Sequence, residues 1–127
     1  ALVFGEALKH NHTLTTLCLK SNCIGDGGVL GLCTALKQNH KLELLNLENN
    51  SISESGALAL GEALHENYTL EYLNLEDNYI GVDGAAALSK ALERNDTLKN
   101  LNLKKNPIYD AEAFDHILKH NKTLIEL

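Results

Sequence analysis

The pattern Leu-x-x-Leu-x-Leu-x-x-Asn-x-Ile is written four times in this chain, starting at Leu14, Leu42, Leu70 and Leu98, a constant step of 28 residues. The copies carry Leu14, Leu17, Leu19, Asn22 and Ile24; Leu42, Leu45, Leu47, Asn50 and Ile52; Leu70, Leu73, Leu75, Asn78 and Ile80; Leu98, Leu101, Leu103, Asn106 and Ile108. A period of roughly 20 to 50 residues marks an array of stacked units, none of which can bury its apolar side alone. Each unit then touches only its neighbours, so the chain presents a long surface to a partner rather than enclosing a reactive pocket.

Within a unit, the Leu-x-Leu pair alternates with polar residues at the period of two that marks a short strand with one buried face. Strand, helix and strand again in the same direction require a parallel sheet, extended by each added unit. The Asn at 22, 50, 78 and 106 recurs too regularly to be catalytic. Its amide both donates and accepts, which suits it to backbone groups that the turning chain would bury unpaired. Gly28, Gly56 and Gly84 mark where the chain enters a helix in close contact with its neighbour. Ala57, Leu60 and Leu64, like Ala85, Leu88 and Leu92, then form a helical apolar stripe. Glu62, His65, Glu66, Lys90, Glu93 and Arg94 are expected to face water. Asn39, Asn67, Asn95 and Asn121 are expected to stop the helices in the left-handed conformation, with Thr69, Thr97 and Thr123 leading into the next strand.

Charge and cysteine usage narrow the partners. A formal charge of −6 repels phosphate backbones and anionic bilayers, so neither nucleic acid nor membrane insertion is expected. No apolar run approaches the ~20 residues that cross a bilayer. Cys18, Cys23 and Cys33 are odd in number and sit in one unit, which reads as free thiols in a reducing, cytoplasmic compartment rather than a secreted disulfide framework. Asn-x-Ser/Thr occurs at Asn11, Asn49, Asn67, Asn95 and Asn121; four of the five fall at one repeat position, where turn chemistry accounts for them without glycosylation.

The whole of 1–127 is read as one repeat domain: a partial unit over 1–13, units over 14–41, 42–69, 70–97 and 98–123, and a final strand over 124–127. Ala1, Gly5, Glu6, Ala7, Leu8 and Asn11 align with Ala57, Gly61, Glu62, Ala63, Leu64 and Asn67, so the chain starts inside a helix. It ends on a strand, where a solenoid normally carries a polar cap, and a piece of a longer array is expected. The last unit departs from the others, with Pro107 after its Asn and Glu112 in place of Gly.

Taken together, the run from Asn67 to Leu92 resembles the ribonuclease-inhibitor-like class of leucine-rich repeats. That resemblance implies a right-handed α/β solenoid, a horseshoe arc with parallel strands on the concave face and α-helices on the convex face. The uniform step is similar to the repeats of NOD-like receptors and of related arrays in protists and intracellular bacteria. The inhibitor itself alternates two unit lengths and often places Cys at the turn, and this chain does neither.

If the strand leucines point inward, the residues between them face a partner: Thr16, Cys18 and Lys20; Leu44, Asn46 and Glu48; Tyr72, Asn74 and Glu76; Asn100, Asn102 and Lys104. Leu44 and Tyr72, beside Glu48 and Glu76, make an acidic-centred recognition surface that Tyr79 enlarges from the following loop; an aromatic anchor ringed by charge is the usual anatomy of an interface hot spot. The expected function is protein recognition within a larger intracellular protein, either receptor-like or effector-like. Two other readings stand beside it: part of a GTPase-activating regulator resembling the Ran GTPase-activating protein, and a structural segment that self-associates through its open strand edges.

Catalytic constellations are not supported. His116 and His120 sit four apart but lack a third ligand with an acidic companion, and surface turns account for His10, His12 and His40 without a metal. Cys18 has no base partner, Ser51, Ser53 and Ser55 lack a positioned His, and no Lys-Ser/Thr follows the glycines around Gly25, Gly27 and Gly28. The chain is expected not to be an enzyme and to require neither cofactor nor metal.

Overall fold

Leu17, Leu45, Leu73 and Leu101 stand side by side across a four-stranded parallel sheet, each one repeat step from the next. The computed structural model describes residues 2–110 together with Glu112, Asp115, Lys119 and Asn121. Its elements alternate: α1 (Leu2–His10), β1 (Thr16–Cys18), α2 (Gly25–Leu36), β2 (Leu44–Asn46), α3 (Glu54–Glu66), β3 (Tyr72–Asn74), α4 (Val82–Leu92) and β4 (Asn100–Asn102). Strand order follows chain order, and among the described residues each helix packs against the helices next to it in sequence, giving a leucine-rich-repeat solenoid with its sheet on one side and its helices on the other. No described helix is long and apolar enough to cross a membrane.

The core is a single leucine column. Leu45, Leu73 and Leu101 are fully buried from the strands, Leu47 and Leu75 from the residues just after them, Ile52 and Ile80 from the turns, and Leu60, Ala85 and Leu88 from the helices. Glu62, His65, Glu66, Lys90, Glu93 and Arg94 are exposed, as their place opposite the apolar stripe requires. The first unit departs from the pattern: Leu14 is 37% exposed where Leu42, Leu70 and Leu98 are 0%.

Small residues set the helix spacing. A Cβ at Gly61 would lie 2.9 Å from the carbonyl oxygen of Ala87 on α4. The helices begin earlier than Gly28, Gly56 and Gly84, which fall inside their first turns; at Gly84 a Cβ would lie 2.9 Å from both Ala57 Cβ and Ile80 Cγ2. The entry into α3 is capped from two coils at once. Ser53 Oγ accepts from Ser55 N at 3.3 Å, while Asp26 Oδ1 of the preceding coil accepts from Ser53 N at 2.8 Å and Gly56 N at 3.0 Å.

The helix-ending asparagines do not adopt the expected left-handed conformation. Asn67 is extended, with φ −95° and ψ 127°, and neither Asn39 nor Asn95 has a positive φ. All three are buried because their side chains bridge coils: Asn67 Nδ2 donates to Leu36 O and Asn39 O, and its Oδ1 accepts from Thr69 N and Leu70 N. Burial and full engagement of Asn67 and Asn95 also leave no amide free to carry a glycan. The left-handed residues lie elsewhere: Ser21, Asn49, Asp77 and Lys105 share one position in the turn after each strand, and Cys23, Gly25 and Ser51 are also left-handed in the first two turns. The expected strand over 124–127, Thr123, and the pair His116 and His120 lie outside the described residues.

Candidate protein-binding surface

Strand alternation sends the leucines of β1 to β4 into the core and lifts the residues between them onto the open face of the sheet. Register pairs Thr16, Leu44, Tyr72 and Asn100 in one row, and Cys18, Asn46, Asn74 and Asn102 in the next. Beyond the strands follow Lys20, Glu48, Glu76 and Lys104. Tyr72 is 37% exposed and Leu44 half-buried, side by side in the first row. Thr16, Cys18, Lys20 and Lys104 are also open to solvent.

The middle row is a ladder rather than a free surface. Asn46 Oδ1 accepts from Glu48 N at 2.9 Å, Asn74 Oδ1 from Glu76 N at 2.9 Å, and Asn102 Oδ1 from Lys104 N at 3.1 Å. Each asparagine thereby holds the backbone where the chain leaves its strand. Asn74, expected to meet a partner, is only 7% exposed, because its Nδ2 also donates to Glu48 Oε2 at 3.3 Å.

The carboxylates are compensated from within. Lys20 Nζ lies 2.8 Å from Glu48 Oε1, and this contact raises the Lys20 ammonium above its ordinary pKa. Glu76 Oε1 meets Lys105 Nζ at 2.7 Å and Glu76 Oε2 accepts from Asn102 Nδ2 at 3.0 Å; these two bonds, the lysine first, hold Glu76 below the usual carboxylate range. The centre expected to be acidic therefore holds two ion pairs, Lys20 with Glu48 and Lys105 with Glu76, with Lys104 exposed beside them. The sequence pattern carries no signal for Lys105, which sits in the left-handed turn position where neighbouring units have Ser21, Asn49 and Asp77. What remains uncommitted at the centre is the pair Tyr72 and Leu44.

Tyr79, 67% exposed, follows the turn beyond the far end of β3, with its amide donating to Ile52 O at 2.8 Å. It borders the surface at the turn edge. His40 lies on the opposite edge, in a shallow depression shared with Tyr68, Asp96 and Lys99. Among the described residues no group of three or more His, Cys, Asp or Glu is placed to hold a metal. Burial pushes the Cys33 thiol up to about 12, while Cys18 and Cys23 are exposed and free.

Short parallel strands, coil-bridging asparagines and an outer row of helices define a leucine-rich-repeat protein, and residues 10–33 match the Leucine Rich repeat family. Residues 29–107, more than half of the chain, match the TMOD/LMOD Leucine-rich domain, and the chain belongs to that family. Among solved structures it is similar to "Leiomodin-1 Actin-Binding Site 2 (ABS2)", with 27% identity and a TM-score of 0.86 over 97% of this chain and 75% of that one. The tropomodulin C-terminal domain of Caenorhabditis elegans shares the fold at 17% identity, with a TM-score of 0.64 over 91% of this chain and 90% of that one. No curated protein sequence matches the chain significantly.

Proposed function

We propose that this chain is a recognition module for actin, acting by binding rather than catalysis, and that the open face of its sheet makes the contact. The observation that carries the reading is the likeness of nearly the whole chain to actin-binding site 2 of leiomodin-1, at 97% coverage and a TM-score of 0.86. Membership of the TMOD/LMOD family supports a cytoskeletal, cytoplasmic setting ahead of a receptor or an effector. The 28-residue step supports placing the repeat in the ribonuclease-inhibitor-like class. Tyr72 and Leu44 are the anchors, Thr16, Cys18, Lys20 and Lys104 surround them, and Asn46, Asn100 and Asn102 with Glu48 and Glu76 form the rigid floor.

Co-sedimentation with filamentous actin and anisotropy titration with monomeric actin test the proposal. Binding to one form is expected, and Leu44→Ala with Tyr72→Ala should weaken it by about tenfold or more, the scale of a hot-spot pair. Binding that survives both substitutions would move the contact off the sheet. Binding to neither form would remove actin as the partner.

A further inference from the structure

On the outer face, away from the sheet, α3 and α4 carry opposite charges at matching places. Glu62 is exposed on α3, and one repeat later Lys90 is exposed at the same position on α4. Four residues further along, Glu66 on α3 is matched by Arg94 just after α4. Lys37 already meets Glu66 at 2.9 Å. Glu62, Lys90 and Arg94, by contrast, have no ion-pair partner among the described residues.

Between the two charged rows runs an open groove of about 600 Å³. Gly61, Ala87 and Ala91 keep it shallow and apolar. Leu58 stands on its α3 side, 55% exposed, level with the exposed Ala86 on α4. One wall thus offers an acid and a large apolar knob where the other offers a base and a small residue.

We infer that this outer face is an interface between two copies of the chain, related by a twofold axis that runs along the groove, parallel to the helices. Such an axis lays α3 of one copy on α4 of the other with their directions kept, and every contact occurs twice. Glu62 then faces the partner's Lys90, and Leu58 enters the space over the partner's Ala86. A twofold axis across the helices would instead lay α3 on α3 and set Glu62 against the partner's Glu62. Charge complementarity names the occupant: any other partner has to bring this pattern of acid, base, knob and hole, whereas a second copy has it by construction. The sheets lie on the far side of both copies, so the dimer presents two open sheet faces pointing outward. Two helices roughly 20 Å long and about 10 Å apart offer on the order of 400 Å² per copy, which is the scale of a weak, transient contact with a Kd near ~0.1 mM.

Sedimentation equilibrium from about 10 μM to about 1 mM brackets that affinity, and a concentration-dependent dimer is expected. Glu62→Lys and Lys90→Glu each set like charges opposite one another at both contacts, and each alone should weaken association about tenfold or more. An equimolar mixture of the two variants restores opposite charges at both contacts, so it should associate as the parent does although neither component does so alone. Carrying both substitutions in one chain should recover the dimer in the same way. Circular dichroism of each variant should match the parent, because both side chains are exposed. A monomer throughout the range, a mixture no better than its components, or association strengthened by Glu62→Lys would overturn the inference. Actin takes no part in this measurement, so a monomeric result leaves the proposed function standing.

Discussion

Asn78 Oδ1 accepts the backbone amide hydrogen of Asn50 at 3.0 Å, across 28 residues of sequence and one coil of structure. The same oxygen takes the amide of Ile52 at 3.0 Å, and Asn78 Nδ2 donates to Leu47 O at 3.1 Å. One side chain, 3% exposed, thus satisfies buried backbone groups of its own turn and of the turn before it. Removing it leaves those groups unpaired in an apolar setting, where each costs a desolvation penalty rather than the small net value of a hydrogen bond.

Asn78→Ala should therefore lower unfolding stability by about 2–4 kcal/mol, whereas the exposed Asn22→Ala, which bridges no earlier coil, should lose about 1 kcal/mol or less. Urea unfolding followed by circular dichroism measures both. Equal losses would mean that the ladder does not carry the stacking.

Glycine substitutions separate close approach from helix propensity. A Cβ at Gly27 meets nothing within 4 Å, so Gly27→Ala should stabilise by about 0.4–1 kcal/mol through the unfolded chain. At Gly56 a Cβ would lie 2.5 Å from Asp26 Oδ1 and 2.6 Å from Ile52 Cγ2, so Gly56→Ala should destabilise by about 1–3 kcal/mol and disturb the cap on α3. Opposite signs in denaturant midpoints are the expected result.

Thiol reactivity should divide the cysteines two to one. Cys18 and Cys23 are exposed, while Cys33 is 2% exposed with its thiol pushed up to about 12 by burial. At pH 8 about one part in 10⁴ of Cys33 is thiolate, and a disulfide reagent should modify two groups quickly and the third only with unfolding. Rapid modification of all three in the folded protein would contradict the packing of α2.

Acid should cancel the contribution of the Glu76–Lys105 pair. Glu76 is held below the ordinary carboxylate range by Lys105 and then Asn102, so folding favours its ionised form. Stability from this source is complete above the unfolded carboxylate pKa, near 4.3, and is lost as pH falls through the lower folded value. Lys105→Met should lower the melting temperature at pH 7 and in low salt, and the difference from the parent should shrink toward pH 3. A gap that stays constant with pH would show that Lys105 stabilises by packing alone.

The boundary behaviour of individual residues marks how far the sequence could be read. Burial of Leu45, Leu73, Ile52 and Leu60 was legible because their recurrence at one step leaves each a single place in every coil. The role of the helix-ending asparagines was not, since their partners lie 28 and 31 residues away and no local pattern distinguishes a coil-bridging amide from a left-handed stop. Asp26 capping α3 from the preceding coil, and Lys105 neutralising Glu76, likewise leave no mark in any local pattern.

Periodicity by itself determined the architecture: leucines at a fixed step, asparagine in each turn and glycine at each helix entry leave a parallel sheet backed by helices as the way to bury them together. It also determined which residues could stand outside, because alternation along a strand follows from the backbone. Only the tertiary structure decided which of those are available. Register brings Glu48 to Lys20 and Asn74, and Glu76 to Lys105 and Asn102, and those contacts turn an acidic row into a neutralised floor with Tyr72 and Leu44 at its centre. Such pairings depend on distances across coils, which a one-dimensional pattern does not contain.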